Sequence, residues 1–333
     1  MSTRYPGDTQ DALFMEDGSP WWESPDIGIG SLAGGVANEG TNTVHVRVHT
    51  NGEPFTPSTA RTQVWVGNPS LVMTPTAGTV AVGTFTVTQA EFTAGGGTVE
   101  KTLPWLVTAD PSNPSGPDQP GHRCVIARVF PFGTPVPTDF AVPTDQHEAQ
   151  RNISIVAADD AGAPGGGAGG GMAGAPGGKP MGPGEDGLWE FWVDTTMPLT
   201  LKRSPVTIAA GPTQKVSDET LELIAKSLEG QPFDGLAEPT RKFMLDFDLP
   251  KERLPLDPEG CPWRPKVGEV TFDERRLQTT VPVWLEPEQI ARFALKADLN
   301  DTPPGQVQVF HLEQTGDDGN PQGGLTVVFY KAR

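Results

Sequence analysis

Apolar residues in the first half of the chain return at every second position. Val44, Val46 and Val48 alternate with His45, Arg47 and His49, which predicts a strand with one buried and one wet face; Asn51-Gly52 follows as a turn. The pattern, or a short apolar run, comes back at 63–66, 80–88, 98–103, 124–129 and 151–156. Gly, Pro, Asn and Asp punctuate the intervals, as turn chemistry requires. Short strands separated by turns, with almost no helical periodicity, predict an immunoglobulin-like β-sandwich over 43–160.

From 161 to 185 the pattern disappears into glycine, alanine and proline, which predicts a flexible connector and a domain boundary. Strand patterns resume at 188–193, 199–208, 267–272, 280–285, 291–299, 306–314 and 325–330, giving a second immunoglobulin-like sandwich over 186–333. At 289–296 high helix propensity competes with the strand. One helix is predicted inside this second domain, over 217–229. Ser217 supplies the N-cap, Asp218 and Glu219 the first turn, Leu221, Ile224, Ala225 and Leu228 the apolar stripe, and Gly230 the stop. The stretch 232–264 shows no clear period. Residues 1–42 read as a polar arm, rich in Pro and Gly and carrying Trp21 and Trp22. The expected fold class is all-β: two immunoglobulin-like β-sandwich domains on a Gly-rich connector, with one short helix in the second.

Charge narrows the choice of partners. A net charge of −18 over 333 residues repels a phosphate backbone and an anionic membrane alike, so nucleic acid and membrane insertion are not expected. Solubility, cations or a basic protein partner suit it better. Only Cys124 and Cys261 occur, assigned to different domains, so no disulfide is expected between them. The N-terminus has no apolar signal segment and no run of eighteen apolar residues exists, which predicts cytoplasmic synthesis, with incorporation into a particle or export by a non-Sec route.

Five stretches then resemble a known family: 21–27, 42–49, 63–67, 121–128 and Gln150-Arg-Asn-Ile-Ser-Ile-Val156. They look like bacterial immunoglobulin-like modules related to the cell-adhesion CARDB domains found beside secreted peptidases. The stretches 188–193, 280–288, 305–314 and 323–329 are similar to a second such module. The resemblance implies accessory binding modules with sandwich folds and no catalytic residues. The missing signal segment, the helix and the glycine-rich insertion depart from the family's pattern.

Candidate chemistry is sparse. His147-Glu148 begins like a zinc-peptidase helix, but Arg151 stands where the second histidine belongs. His122 and Cys124 share a strand face, yet two ligands make no zinc site, and Cys124 reads as a core residue. Acidic turns at 298–301 and 317–320 offer oxygens, so calcium is the one cofactor left open; catalytic, cofactor-binding and metal residues are otherwise expected to be none. Trp21 and Trp22 either fold back over the first sandwich or serve as partner contacts. The sequence thus predicts a non-enzymatic protein that binds protein partners within a larger assembly, such as a phage particle or contractile injection machine. The alternatives are a calcium- or carbohydrate-binding adhesion module, or a toxin or enzyme with its site in 209–265.

Overall fold

The structure, a computed structural model, describes residues 12–67, 79–110, 121–134, 140–157, 188–189, 192–196, 204–228, 230–247, 279–285, 290–316 and 319–333. The connector at 161–185, the predicted strand at 267–272 and Cys261 lie outside the described residues. By contact, the described residues form two compact units, one up to Ile153 with Val216–Ser227, the other from Ser154 onward without that helix.

The first unit contains β1 (Leu13–Phe14), β2 (Ile27–Ile29), β3 (Val36–Ala37), β4 (Gly40–Thr50), β5 (Thr59–Gly67), β6 (Thr79–Thr88), α1 (Gln89–Ala94), β7 (Thr98–Val107), β8 (Gly121–His122), β9 (Cys124–Pro131) and β10 (Glu148–Arg151). One antiparallel sheet is built on β4, with β1 and β2 along one edge and β7 along the other. The second runs β10-β9-β5-β6. Val44, Val46 and Val48 from the first sheet and Val64, Val66, Val125, Ala127 and Val129 from the second belong to one hydrophobic core. Each buried valine contributes about 1.5–3 kcal/mol, so this face-to-face burial is the main stabilising term.

Residues 12–42, expected as a polar arm, pair into this sandwich. Leu13 and Ile27 are buried, and β2 pairs with β4 from Ile27↔Val46 to Ile29↔Val44. The short strands escaped a pattern reading because two or three residues cannot show a period. The helix α1 was also hidden in the sequence, by the strand running into it. Thr88 closes a capping box with Glu91, and Phe92 packs edge-on against Phe55.

The stretch expected as one strand over 151–156 is two. β10 pairs with β9 as far as Arg151↔Val125, and after Asn152 the chain continues as β11 (Ile153–Ala157) in the other unit's sheet.

In the second unit lie β12 (Leu188–Trp189), β13 (Trp192–Thr196), β14 (Ser204–Thr213), β15 (Phe243–Phe247), β16 (Thr279–Leu285), β17 (Ile290–Asp298), β18 (Val307–Gly316) and β19 (Pro321–Tyr330). A five-stranded sheet runs β11-β19-β18-β14-β16, and a second places β17 among β12, β13 and β15. Strand wins over helix at 289–296 because β17 pairs with β13 from Thr196↔Ile290 to Trp192↔Ala294, and with β15 from Phe247↔Phe293 to Phe243↔Ala297. Phe243 and Phe310 meet edge-on at 5.4 Å, one from each sheet. The poorly patterned segment before β15 is held by polar contacts: buried Gln308 accepts from Thr240 N at 3.1 Å and donates to Glu238 O at 2.8 Å.

The predicted helix is real but belongs to the first unit. In α2 (Asp218–Ser227) Thr220 N donates to Ser217 Oγ at 3.1 Å, confirming the cap. Its buried residues are Thr220, Leu223 and Ile224, whereas Leu221 is half-buried and Ala225 exposed. Thr220 Oγ1 donates to the buried Glu23 at 2.6 Å, and Leu223 reaches over Gly35. The helix turns this face inward because a buried carboxylate needs a donor, and Thr220 is one. Leu223→Ala should therefore destabilise the first unit by about 2–5 kcal/mol, while Ala225→Ser changes stability by less than about 0.5 kcal/mol, both read from urea unfolding.

Candidate functional site

The densest polar constellation lies on the face of β4 turned away from the core. Asp26 immediately precedes β2, and the β2–β4 register brings it beside Arg47, whose backbone N donates to Asp26 O at 2.7 Å. The Asp26 carboxylate is fully buried. His49 Nε2 lies 3.0 and 2.9 Å from its two oxygens, Glu16 N donates to Oδ2 at 2.6 Å, and the Arg47 guanidinium is 3.7 Å from Oδ1. Ser24 Oγ accepts from Asp26 N at 3.1 Å and donates to Glu16 O at 2.6 Å. The His49 ring stacks on Phe14 at 5.1 Å, and its Nδ1 is 3.2 Å from Thr98 Oγ1. Farther along, Glu100 pairs with His45 at 3.0 Å and Arg47 at 3.9 Å.

Glu16, Asp26 and His49 bring one ligand atom each to within 4.8 Å of one another, a mixed oxygen and nitrogen set that could hold a divalent cation. Arg47 opposes this, because its positive charge sits against the same carboxylate. Thr98, His49 and Asp26 also stand in hydroxyl–imidazole–carboxylate order, the order of a nucleophilic triad. In this chain the contacts already serve the fold. They tie the segment before β2, β1 and β7 to one strand, and they neutralise a buried charge. Sequence reasoning noticed His49 only as a wet-face residue; the register that delivers Asp26 to it is not a local signal.

The residues singled out in the sequence are dispersed. Cys124 is fully buried, and burial pushes its thiol well above the ordinary value, which suits a core residue and not a nucleophile. His122 is buried beside it in sequence, and desolvation pushes its imidazole down to about 4. His147 stands on the turn before β10. It bonds Asp145 at 2.7 Å and stacks on Phe130 at 4.9 Å. Glu148 turns inward, accepts from Ala141 N at 2.5 Å and lies 3.8 Å from Arg128. Desolvation raises its carboxyl to about 7, with Asp145 adding repulsion, against the opposing pull of the Ala141 N–H, Arg128 and His147. Arg128 is itself covered by Trp65, 4.6 Å from the ring centroid.

Trp22 is 2% exposed, whereas Trp21 is half-buried and packs edge-on against it at 5.3 Å. In the acidic turn at 298–301, Lys242 Nζ lies 3.7 Å from Asp298 and 3.2 Å from Asp301, so a lysine already occupies the position a cation would need. Asp317 and Asp318 lie outside the described residues. No helix among the described residues is long and apolar enough to cross a membrane.

No protein-family model matches the chain, and no curated protein does. Among solved structures, the collagen adhesin CNA of S. aureus aligns at 8% identity over 89% of this chain and 93% of that one, with a TM-score of 0.21. The CupB6 tip adhesin of Pseudomonas aeruginosa aligns at 9% over 95% and 97%, with a TM-score of 0.20. CfaE, the adhesive subunit of CFA/I fimbria of enterotoxigenic Escherichia coli, aligns at 10% over 99% and 90%, with a TM-score of 0.24. Similarity at this level establishes neither a shared fold nor a shared role.

Two outcomes follow from the geometry. Trp22→Ala should cost about 3–5 kcal/mol in urea unfolding and Trp21→Ala clearly less, because only Trp22 leaves a cavity in the interior. For Glu148 the sign is set by its raised folded value. Between about pH 4.5 and 7 the folded state holds a proton that the unfolded state has released, so stability falls as pH rises through that window. Glu148→Gln should flatten this slope by up to about 1.4 kcal/mol per pH unit, measured as urea midpoints from pH 4.5 to 8. A slope unchanged by the substitution contradicts the assignment.

Proposed function

We propose that this chain is a non-enzymatic interaction module, an all-β component that binds protein partners within a larger assembly. One observation carries the reading: in the first unit three histidines are held by carboxylates, and the remaining histidine, His122, and Cys124 are buried away from solvent. His49 is committed to Asp26, His45 to Glu100 and His147 to Asp145, while Cys124 is sealed in the core. Such spending of titratable groups on structure suits a scaffold, whose product is a surface. Within an assembly such as a phage particle or a contractile injection machine, a net charge of −18 favours docking on a basic surface. In this reading Trp21, the more accessible of the pair, is the aromatic partner contact, with buried Trp22 as its support.

A second reading, a cation-dependent binding module, is favoured by the Glu16–Asp26–His49 set alone. Calcium or zinc raising the melting temperature in wild type but not in Glu16→Gln would support it.

The assembly reading is tested by sedimentation of extracts from the source organism. The expected result is that the chain travels with a large particle at fixed stoichiometry, and that His49→Ala and Cys124→Ser variants that still fold do so too. Recovery only as a free chain would overturn the proposal. So would a turnover assay whose signal vanishes in folded His49→Ala, since a scaffold has no rate to lose.

A further inference from the structure

Two of the outer strands of the first unit, β6 and β7, are protected to different degrees. β7 ends the sheet built on β4 and carries Glu100, Lys101 and Pro104. β6 ends the other sheet, and among the described residues its only strand partner is β5. Its ten residues, Thr-Val-Ala-Val-Gly-Thr-Phe-Thr-Val-Thr, contain neither a charge nor a proline. An edge strand offers unpaired N–H and C=O groups, and charge or proline is what ordinarily keeps another chain from pairing with it. β7 has both devices and β6 has neither.

The sequence of β6 is also nearly symmetric when read against itself. An antiparallel copy sets Thr79 against Thr88, Val80 against Val87, Ala81 against Thr86, Val82 against Phe85 and Gly83 against Thr84. In a regular strand such pairs would fall on opposite faces, because their positions differ by an odd number. The strand is not regular. Val64 pairs with Gly83 and Trp65 with Ala81, so Val82 is an extra residue that shifts the alternation. Val82 and Phe85 accordingly both pack on the core, while Ala81, Thr84 and Thr86 are exposed. The bulge thus keeps Val82, Phe85 and Val87 on the core face and the small residues Ala81, Thr84 and Thr86 on the other. Val82, Phe85 and the neighbouring Leu103 of β7 are only partly buried, leaving an apolar rim at this edge.

We propose that β6 is a self-association edge, at which a second copy of this chain adds antiparallel to extend the sheet. The occupant follows from the strand's own near-symmetry and from charge. Each copy carries a net charge of −18, so two copies repel, and a ten-residue uncharged strand is a surface where they can meet without pairing like charges. One strand on one strand is smaller than a standard interface of about 1,600 Å², so the dimer is weak, with a dissociation constant in roughly the micromolar range. The inference does not rest on membership of any larger assembly.

Sedimentation equilibrium of the full chain, from about 1 to about 200 µM, tests it. The expected result is a reversible monomer–dimer equilibrium that tightens as salt is raised, because salt screens the repulsion and not the interface. The Thr84→Lys/Thr86→Lys double variant should weaken the dimer at least about tenfold at an unchanged melting temperature. Ala81→Lys, a single exposed change, should act in the same direction and covers the case in which the double variant fails to fold. Thr102→Lys, exposed on β7, should leave the equilibrium unaltered. A chain that stays monomeric throughout overturns the proposal. A dimer untouched by lysines on β6, or equally weakened by Thr102→Lys, overturns it as well.

Discussion

The first unit hangs on the two faces of one strand. β4 pairs with three others, and its inward valines, Val44, Val46 and Val48, lie at the centre of the core shared with the opposing sheet. Its outward residues, His45, Arg47 and His49, gather Asp26 and Glu100 into a polar chain. Strip the inward face and the two sheets have nothing to bury against each other. The outward face solves a different problem. Residues between β1 and β2 supply little regular pairing, so they are fixed by charge and hydrogen bonds to Asp26. A buried carboxylate is costly unless fully accompanied, and here the backbone N–H of Glu16, the His49 imidazole and the Arg47 guanidinium accompany it.

The second unit uses a polar anchor for the same purpose. The irregular chain before β15 is fixed by Gln308, which reaches Thr240, Glu238 and Thr302 at once. Tyr330 OH donates to Pro232 O at 2.8 Å, closing the other end of that segment. In both units a single buried polar side chain orders a stretch that has too few apolar residues to order itself.

That division explains what the sequence could and could not disclose. Long strands were legible because alternation and short apolar runs are local signals: β4, β5, β6, β7, β9, β16, β18 and β19 all overlap such runs. The cap of α2 was legible at Ser217, and Ile224 and Leu228 of the expected stripe are buried, but the buried face also takes in Leu223 and Thr220, since Thr220 turns inward to meet Glu23, nearly two hundred residues away in sequence. Asn152 was read through as strand interior, although the chain changes sheets there. The contact of Asp26 with His49 depends on register between strands, and Gln308 depends on a segment with no period at all. Trp21 and Trp22 looked equivalent; only the fold separates a buried ring from a half-buried one.

The claim that the polar constellation on β4 serves the fold can be measured as a coupling energy. In a double-mutant cycle of Asp26→Asn and His49→Gln, followed by urea unfolding at pH 7, the account predicts that each single change is strongly destabilising. It also predicts that the double variant loses little more than the worse single, with a coupling of at least about 1 kcal/mol. Single variants that unfold at the wild-type midpoint, with a coupling near zero, would contradict it: Asp26 and His49 would then be free for chemistry rather than spent on structure.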